Sequence, residues 1–177
     1  MVGESPPTPT PDGLATQPGG WFVVNAREAR WIGQDRLWRG AWLEPEGDHW
    51  PGLGFNVTVL DPGHPMSRYH GEPDQEGFLV VHGECLLLVE GEERPLRQWD
   101  FVHCPPWTEH VIIGAGNGPA VVIAVGARSG EGRGRYVAAE VARRHGAAPP
   151  FDTELPSEAY ADVGPVRLLG YRDGDLP

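Results

Sequence analysis

The chain has 177 residues, a length that suits one domain with tails and leaves room for a sizeable core. Its formal net charge of −11 argues against nucleic acid or an anionic membrane surface as a partner. No apolar run approaches the length of a membrane span and the N-terminus lacks a signal-peptide pattern, so a cytoplasmic location is expected.

Residues 1–20 are rich in Pro, Thr and Gly with almost no large apolar side chain, which predicts a disordered or loosely attached tail. Order is expected from Trp21, with a barrel over residues 21–127 and a helix plus C-terminal tail over 128–177. Asn25 and Glu28 have the spacing of a capping box, so one helical turn is expected over Ala26–Arg30. Arg36–Leu43 and Gly54–Leu60 read as strands. In the second, Leu53, Phe55, Val57 and Val59 alternate with Gly54, Asn56 and Thr58, the pattern of a strand with one face on a core. Asp61–Pro62–Gly63 is a turn signal.

The most informative stretch runs from Met66 to Gly83. His70 and Glu72 are two apart, so on an extended chain they share a face. Arg68 shares that face too. It is a candidate for gripping a substrate carboxylate, with a strand-edge surface position as the alternative, while Tyr69 points the other way into packing. Gly71–Asp74 is turn-like, and a strand follows with Glu76, Phe78 and Val80 on one face. A returning hairpin would bring Glu76 back beside His70. A carboxylate opening so apolar a strand needs a partner, because an unpaired buried charge costs several kcal/mol. A divalent cation meets that need.

Downstream, Cys85–Glu90 is an apolar strand and Glu90–Glu93 turns the chain. Phe101–His103 ends in the Pro105–Pro106 turn, and His110 opens the strand Val111–Ile113. If the strands close into a barrel, His110 joins His70 and Glu76. Two imidazoles and one carboxylate with open positions suit non-haem Fe(II) and related divalent ions, and Glu72 is a candidate fourth ligand. Cys85 and Cys104 are too few for a disulfide framework and read as buried small hydrophobes. Trp38, Trp42, Trp50 and Trp99 read as core or interface residues, and Trp107 either walls the pocket or packs on its rim. His49, His64, His82 and His145 read as surface residues.

Gly114–Pro119 is a glycine-rich turn with no helix after it, which excludes a phosphate loop. Ala120–Val125 is the last core strand. Many short strands separated by Gly/Pro turns indicate an all-β barrel or jelly roll, and the lack of an internal repeat limits it to one. A helix is expected over Gly134–His145, with Gly146 at its C-terminal stop. The tail from Phe151 to Pro177 carries too many apolar groups to hang free and should wrap the barrel or a neighbouring subunit.

The paired motifs resemble those of the cupins, G-x5-H-x-H-x(3,4)-E-x6-G followed by G-x5-P-x-G-x2-H-x3-N. His70, Glu76 and Gly83 fit the first, and Pro105 and His110 fit the second. The resemblance spans roughly Phe55 to Gly126 and implies a jelly-roll β-barrel with a metal ion. Glu72 stands where the family usually has its second His, Trp99 and Trp107 replace motif glycines, and Gly114 replaces the final Asn. The spacing of His70, Glu76 and His110 is also similar to that of 3-hydroxyanthranilate dioxygenases. The resemblance implies a metal-dependent enzyme on a small-molecule substrate. A dioxygenase using Fe(II) is the first expectation, with Mn, Ni or Zn as other metals and Glu72 as general base if it is not a ligand. Metal-dependent isomerase, lyase or decarboxylase chemistry, or non-catalytic ligand binding, are the alternatives. A homodimer is expected.

Overall fold

The computed structural model describes residues 1–47, 49–129 and 133–177. Its strands are β1 (Thr8–Thr10), β2 (Gly13–Ala15), β3 (Trp31–Gly33), β4 (Arg39–Ala41), β5 (Gly52–Leu60), β6 (His70–Gly71) and β7 (Glu76–His82). They continue with β8 (Glu84–Val89), β9 (Glu92–Arg97), β10 (Phe101–Cys104), β11 (His110–Ala115), β12 (Ala120–Arg128) and β13 (Arg135–Tyr136). Two short helices, α1 (Glu140–Arg144) and α2 (Pro156–Ala159), precede the last strand, β14 (Arg167–Leu169). Among the described residues, no helix is long and apolar enough to cross a membrane.

Two antiparallel sheets form the jelly roll. One runs in the order β10-β7-β12-β5-β4-β3-β14 and the other β13-β6-β11-β8-β9. Between them lies a core containing Leu60, Phe78, Val80, Leu87, Ile112 and Val122. A second apolar layer, with Tyr69, Leu88, Val111, Ile113 and Val141, lies against the outer side of the smaller sheet under α1. This explains why β11 is apolar at each step from Val111 to Ile113: Ile112 packs between the sheets while Val111 and Ile113 pack under the helix segment. The same period of two puts His110 on the inward face with Ile112.

β5 inverts the simplest reading of its alternation. Its polar residues Asn56 and Thr58 face the cavity between the sheets, while Val57 and Val59 pack outward with Trp31 and Ala41. The strand has apolar cover, but on its outer side.

Two of the motif positions become intelligible here. Gly83 has a φ of +75°, and a Cβ there would meet Ala120 Cα at 2.9 Å. Gly114 has room for no side chain, since a Cβ would lie 2.3 Å from the Asp61 carbonyl oxygen. Trp99 and Trp107, in contrast, occupy left-handed backbone, at φ 75° and 68°. A bulky aromatic there is strained. Trp99 is 68% exposed and gives up little packing, so Trp99→Gly is expected to raise stability by about 0.5–1 kcal/mol in denaturant unfolding. A clear loss would mean that its ring holds something the backbone strain does not outweigh.

Three expectations are corrected. Residues 1–20 hold the β1–β2 hairpin, which the Leu14 N–H anchors to the Glu28 carbonyl at 2.7 Å. Apolar content underestimated this segment because backbone hydrogen bonds, not a core, secure it. The helix expected over Gly134–His145 shrinks to Glu140–Arg144, because Arg135 and Tyr136 pair with the open edge of β6. Ala139 gives the helix no side-chain cap, and Gly146 ends it at φ +67° as expected. At Asn25 a single turn forms, its carbonyl taking the Ala29 N–H at 3.0 Å, but the Asn25 side chain bonds the Arg27 N–H in place of a capping box with Glu28.

The C-terminal tail lies on the barrel. β14 pairs with β3, Tyr171 packs on Trp31 with ring centroids 5.6 Å apart, and Asp175 bonds Arg39.

Candidate metal centre

β6 is only two residues long, yet it sets the site: His70 is the direct cross-strand partner of His110 on β11. Their ring centroids are 5.1 Å apart. Glu76 reaches them from across the barrel, as the first residue of β7 in the opposite sheet. The hairpin expected to return Glu76 beside His70 does not form. Closure of the barrel brings the two together instead. One ligand atom from each of His70, Glu76 and His110 lies within 4.8 Å of the others.

The backbone fixes both imidazoles. His70 Nδ1 lies 2.7 Å from the Arg68 carbonyl oxygen and His110 Nδ1 lies 2.9 Å from that of Thr108. A carbonyl can only accept, so each Nδ1 carries the hydrogen and each Nε2 is left to face the cluster. Ser67 Oγ, at 3.4 Å from His70 Nδ1, is a weaker neighbour. Glu76 Oε2 lies 3.2 Å from His110 Nε2, at ion-pair distance, but is buried without a well-formed hydrogen bond. In the metal-free protein a proton on His110 serves this carboxylate. Burial opposes the imidazolium, but contacts with Cys104 and Glu76 outweigh it and push His110 up to about 10. Two imidazole lone pairs and an orphaned buried carboxylate oxygen fit a divalent cation, which would replace that proton.

Glu72 lies beside this group without belonging to it. Its Oε1 is 3.2 Å from His70 Nε2, and the carboxylate is 39% exposed. A hydrogen bond donated by His70 Nε2–H in the metal-free protein, a hydrogen that a cation would displace, holds it below the usual carboxylate range against the opposing effect of burial.

Arg68 does not reach the cavity. It is buried on the outer side, with Nη1 donating to the Gly146 carbonyl at 2.9 Å and Nη2 paired with Asp162. Bends at Ser67 and Tyr69 break the alternation that would have put Arg68 on the face of His70. Tyr69 packs under α1 as expected, and Glu109 turns away from the site to pair with Arg135. Trp107 and His103 are exposed, and Trp99, expected in a core or an interface, is exposed as well.

The cavity holding the cluster has a volume of about 250 Å³. Two tyrosines line it that sequence reasoning had placed in a helix and a tail. Tyr136 stacks on His70 at 5.6 Å between centroids and 27° between planes. Tyr160 meets Tyr136 edge-on, at 5.7 Å, and its hydroxyl accepts the Arg68 N–H at 3.1 Å. Burial raises both phenols above their ordinary value, so both are neutral. The one available signal for Tyr160 was its place among too many apolar residues for a free tail. Nothing local marked Tyr136, whose position depends on pairing with β6. Trp38, expected in a core or an interface, also lines the cavity.

Residues 56–126 match the family model Cupin_2, the cupin domain. No curated protein is significantly similar in sequence. Among solved structures, a cupin-like protein from Thermotoga maritima is similar at 17% identity and a TM-score of 0.53, over 68% of this chain and 90% of that one. A predicted oxalate decarboxylase from the same organism has 21% identity and a TM-score of 0.52, over 59% and 97%. A sugar phosphate isomerase from a cupin superfamily, from Silicibacter pomeroyi, has 23% identity and a TM-score of 0.47, over 52% of this chain. The chain spans 60% of that protein and 51% of a matched Acidithiobacillus ferrooxidans protein. With the family model over its central strands and a jelly roll around the His-Glu-His cluster, residues 56–126 form a cupin domain.

Proposed function

We propose that this protein is a cytoplasmic, metal-dependent cupin enzyme acting on a small molecule, with the chemistry of a non-haem Fe(II) dioxygenase. The observation behind this reading is the convergence of His70, Glu76 and His110 with both Nδ1 atoms tied to backbone carbonyls. His70, Glu76 and His110 would hold Fe(II) with coordination positions left open, and the ion would supply O₂ activation. Phe78, Ile112 and Trp38 wall the cavity with apolar surface and limit water at the reacting atoms. Glu72, beside the donors and partly open to solvent, accepts a proton from a substrate hydroxyl and passes it outward. The two free cysteines, both buried, accord with a reducing compartment.

Elemental analysis of protein purified without added metal, followed by O₂-uptake assays on the Fe(II) form with small hydroxylated substrates, tests this reading. Stoichiometric metal with substrate-dependent O₂ consumption supports it. Absence of metal binding, or turnover independent of O₂, counts against it. A second reading has an observation of its own: Glu72 and the neutral phenol of Tyr136 lie near the donors and could work as an acid–base pair. The metal would then act as a Lewis acid in isomerase, lyase or decarboxylase chemistry, with Mn, Ni or Zn supporting turnover without O₂.

Glu72→Gln is expected to keep metal content within about threefold of wild type, because Glu72 lies outside the three-donor group, and to lower kcat by roughly 100-fold. Metal analysis and steady-state kinetics on one preparation check both. A proportional loss of metal would make Glu72 a ligand.

We also propose a homodimer. The outer face of the larger sheet exposes Leu53, Phe101 and Val125, and β10 leaves that sheet with an open edge. Sedimentation equilibrium is expected to give twice the mass of one chain, and Phe101→Glu to give one chain. A monomeric wild type would overturn the pairing.

A further inference from the structure

We infer that the cavity selects neutral small molecules carrying a vicinal pair of hydroxyls, and discriminates against phosphate esters. The inference rests on the metal reading above and concerns what the rest of the cavity can recognise.

Phosphate recognition requires fixed positive charge, usually Arg in a fork or Lys as a point charge, or a helix N-terminus. The chain has fourteen arginines and no lysine. All of the arginines lie among the described residues, and none lines the cavity. Arg68, the nearest in sequence to His70, is committed to Asp162 and the Gly146 carbonyl. Arg135 faces Glu109. Among the described residues, the only basic side chains in the lining are His70 and His110, the proposed metal ligands.

The lining instead carries two carboxylates, Glu72 and Glu76. Together they match the two charges of a divalent ion, so no net positive charge remains to draw in a dianion, and Glu72 would repel it at close range. The remaining polar groups are neutral and short: the Asn56 amide, the Thr58 and Ser67 hydroxyls, and the Tyr136 and Tyr160 phenols. Such groups pair with hydroxyls, as donors and acceptors, at little desolvation cost. At about 30 Å³ per water, a cavity of about 250 Å³ holds roughly eight waters, the size of a monosaccharide or a single hydroxylated ring. Two adjacent hydroxyls on such a molecule would chelate the metal, with Glu72 within reach of one of them.

The test uses isothermal titration calorimetry on Mn(II)-loaded protein whose metal stoichiometry has been measured first. The probes are a free hexose, catechol, and the 6-phosphate ester of the same hexose. The expected result is that hexose or catechol binds at least tenfold more tightly than the phosphate ester, and which of the two binds separates a sugar from an aromatic diol. Removal of the metal by chelation should abolish that binding. Asn56→Leu should weaken it at least tenfold with metal content unchanged. Glu72→Arg, at a partly exposed position, should improve the phosphate ester at least tenfold. Equal or tighter binding of the ester by wild type, or no binding of either neutral probe by metal-loaded protein, would overturn the inference and leave the metal reading standing. Failure to take up Mn(II) or any other divalent ion would remove both.

Discussion

His110→Ala is expected to abolish stoichiometric metal binding. His110 is 3% exposed, its Nδ1 is already bonded to a carbonyl, and its Nε2 is one of only three donors in the cluster. Loss of groups that merely orient ligands already costs 10- to 100-fold in affinity, so loss of a ligand should exceed about 100-fold. The substitution also leaves Glu76 Oε2 buried without His110, so thermal unfolding must be recorded beside metal analysis. His110→Gln, which keeps more of the volume and a hydrogen-bonding group, serves as the second variant. His103→Ala, on the exposed face of β10, should keep full metal content. A folded His110 variant that retains stoichiometric metal would sink the ligand assignment. The wild-type titration carries a further signature. With His110 pushed up to about 10 in the metal-free protein, the metal displaces a proton at neutral pH. Apparent affinity should therefore rise about tenfold per pH unit between pH 7 and 9.

The second large effect is on stability. Arg39→Ala should cost about 3–5 kcal/mol, because it leaves a buried carboxylate without its main partner. Arg39, on β4, bonds Asp61 at 2.8 Å and Asp175 at 2.6 and 2.9 Å, and Asp175 is 1% exposed. At about 2–4 °C per kcal/mol for a domain of this size, Tm should fall by roughly 10 °C. Residues 165–177 should become sensitive to protease, since this network and Tyr171 hold the tail down. The pH dependence has a definite sign. The hydrogen bond to Arg39 holds the Asp61 carboxyl below its ordinary value, so this pair stabilises the fold above about pH 4 and the contribution is lost as pH falls through the folded value. Asp61 is a third exposed, which screens this part of the effect. The gap between wild type and variant should therefore narrow below pH 4. Equal stability at pH 7 would show that the tail is held by its apolar contacts alone.

The way each expectation fared follows from the kind of information it used. The strands from Gly52 to Arg128 were legible because alternation and turn residues are local properties. Gly54–Leu60 was read with its apolar side on a core, and Val57 and Val59 do pack in one, but nothing hinted that Asn56 and Thr58 would face the cavity. Alternation tells which residues share a face. It does not tell which face turns inward when both are covered. Arg68 failed for a related reason: the parity argument assumes an extended chain, and the backbone bends at Ser67 and Tyr69. The helix over Gly134–His145 lost its first half to an edge pairing with β6, a tertiary hydrogen-bonding opportunity that outweighed helix propensity.

The sequence by itself singled out the three candidate donors. His70, Glu76 and His110 are set by residue type and by spacing around two turns, and those are fixed before the chain folds. Only the tertiary structure decided how they meet and what surrounds them. Glu76 joins the histidines across the barrel, Tyr136 and Tyr160 enter from segments downstream of all three donors, and Arg68 is withdrawn. The physical reason is that ligation depends on a few side chains of special chemistry, whereas the walls of a cavity are made by whichever sheets and loops close over it.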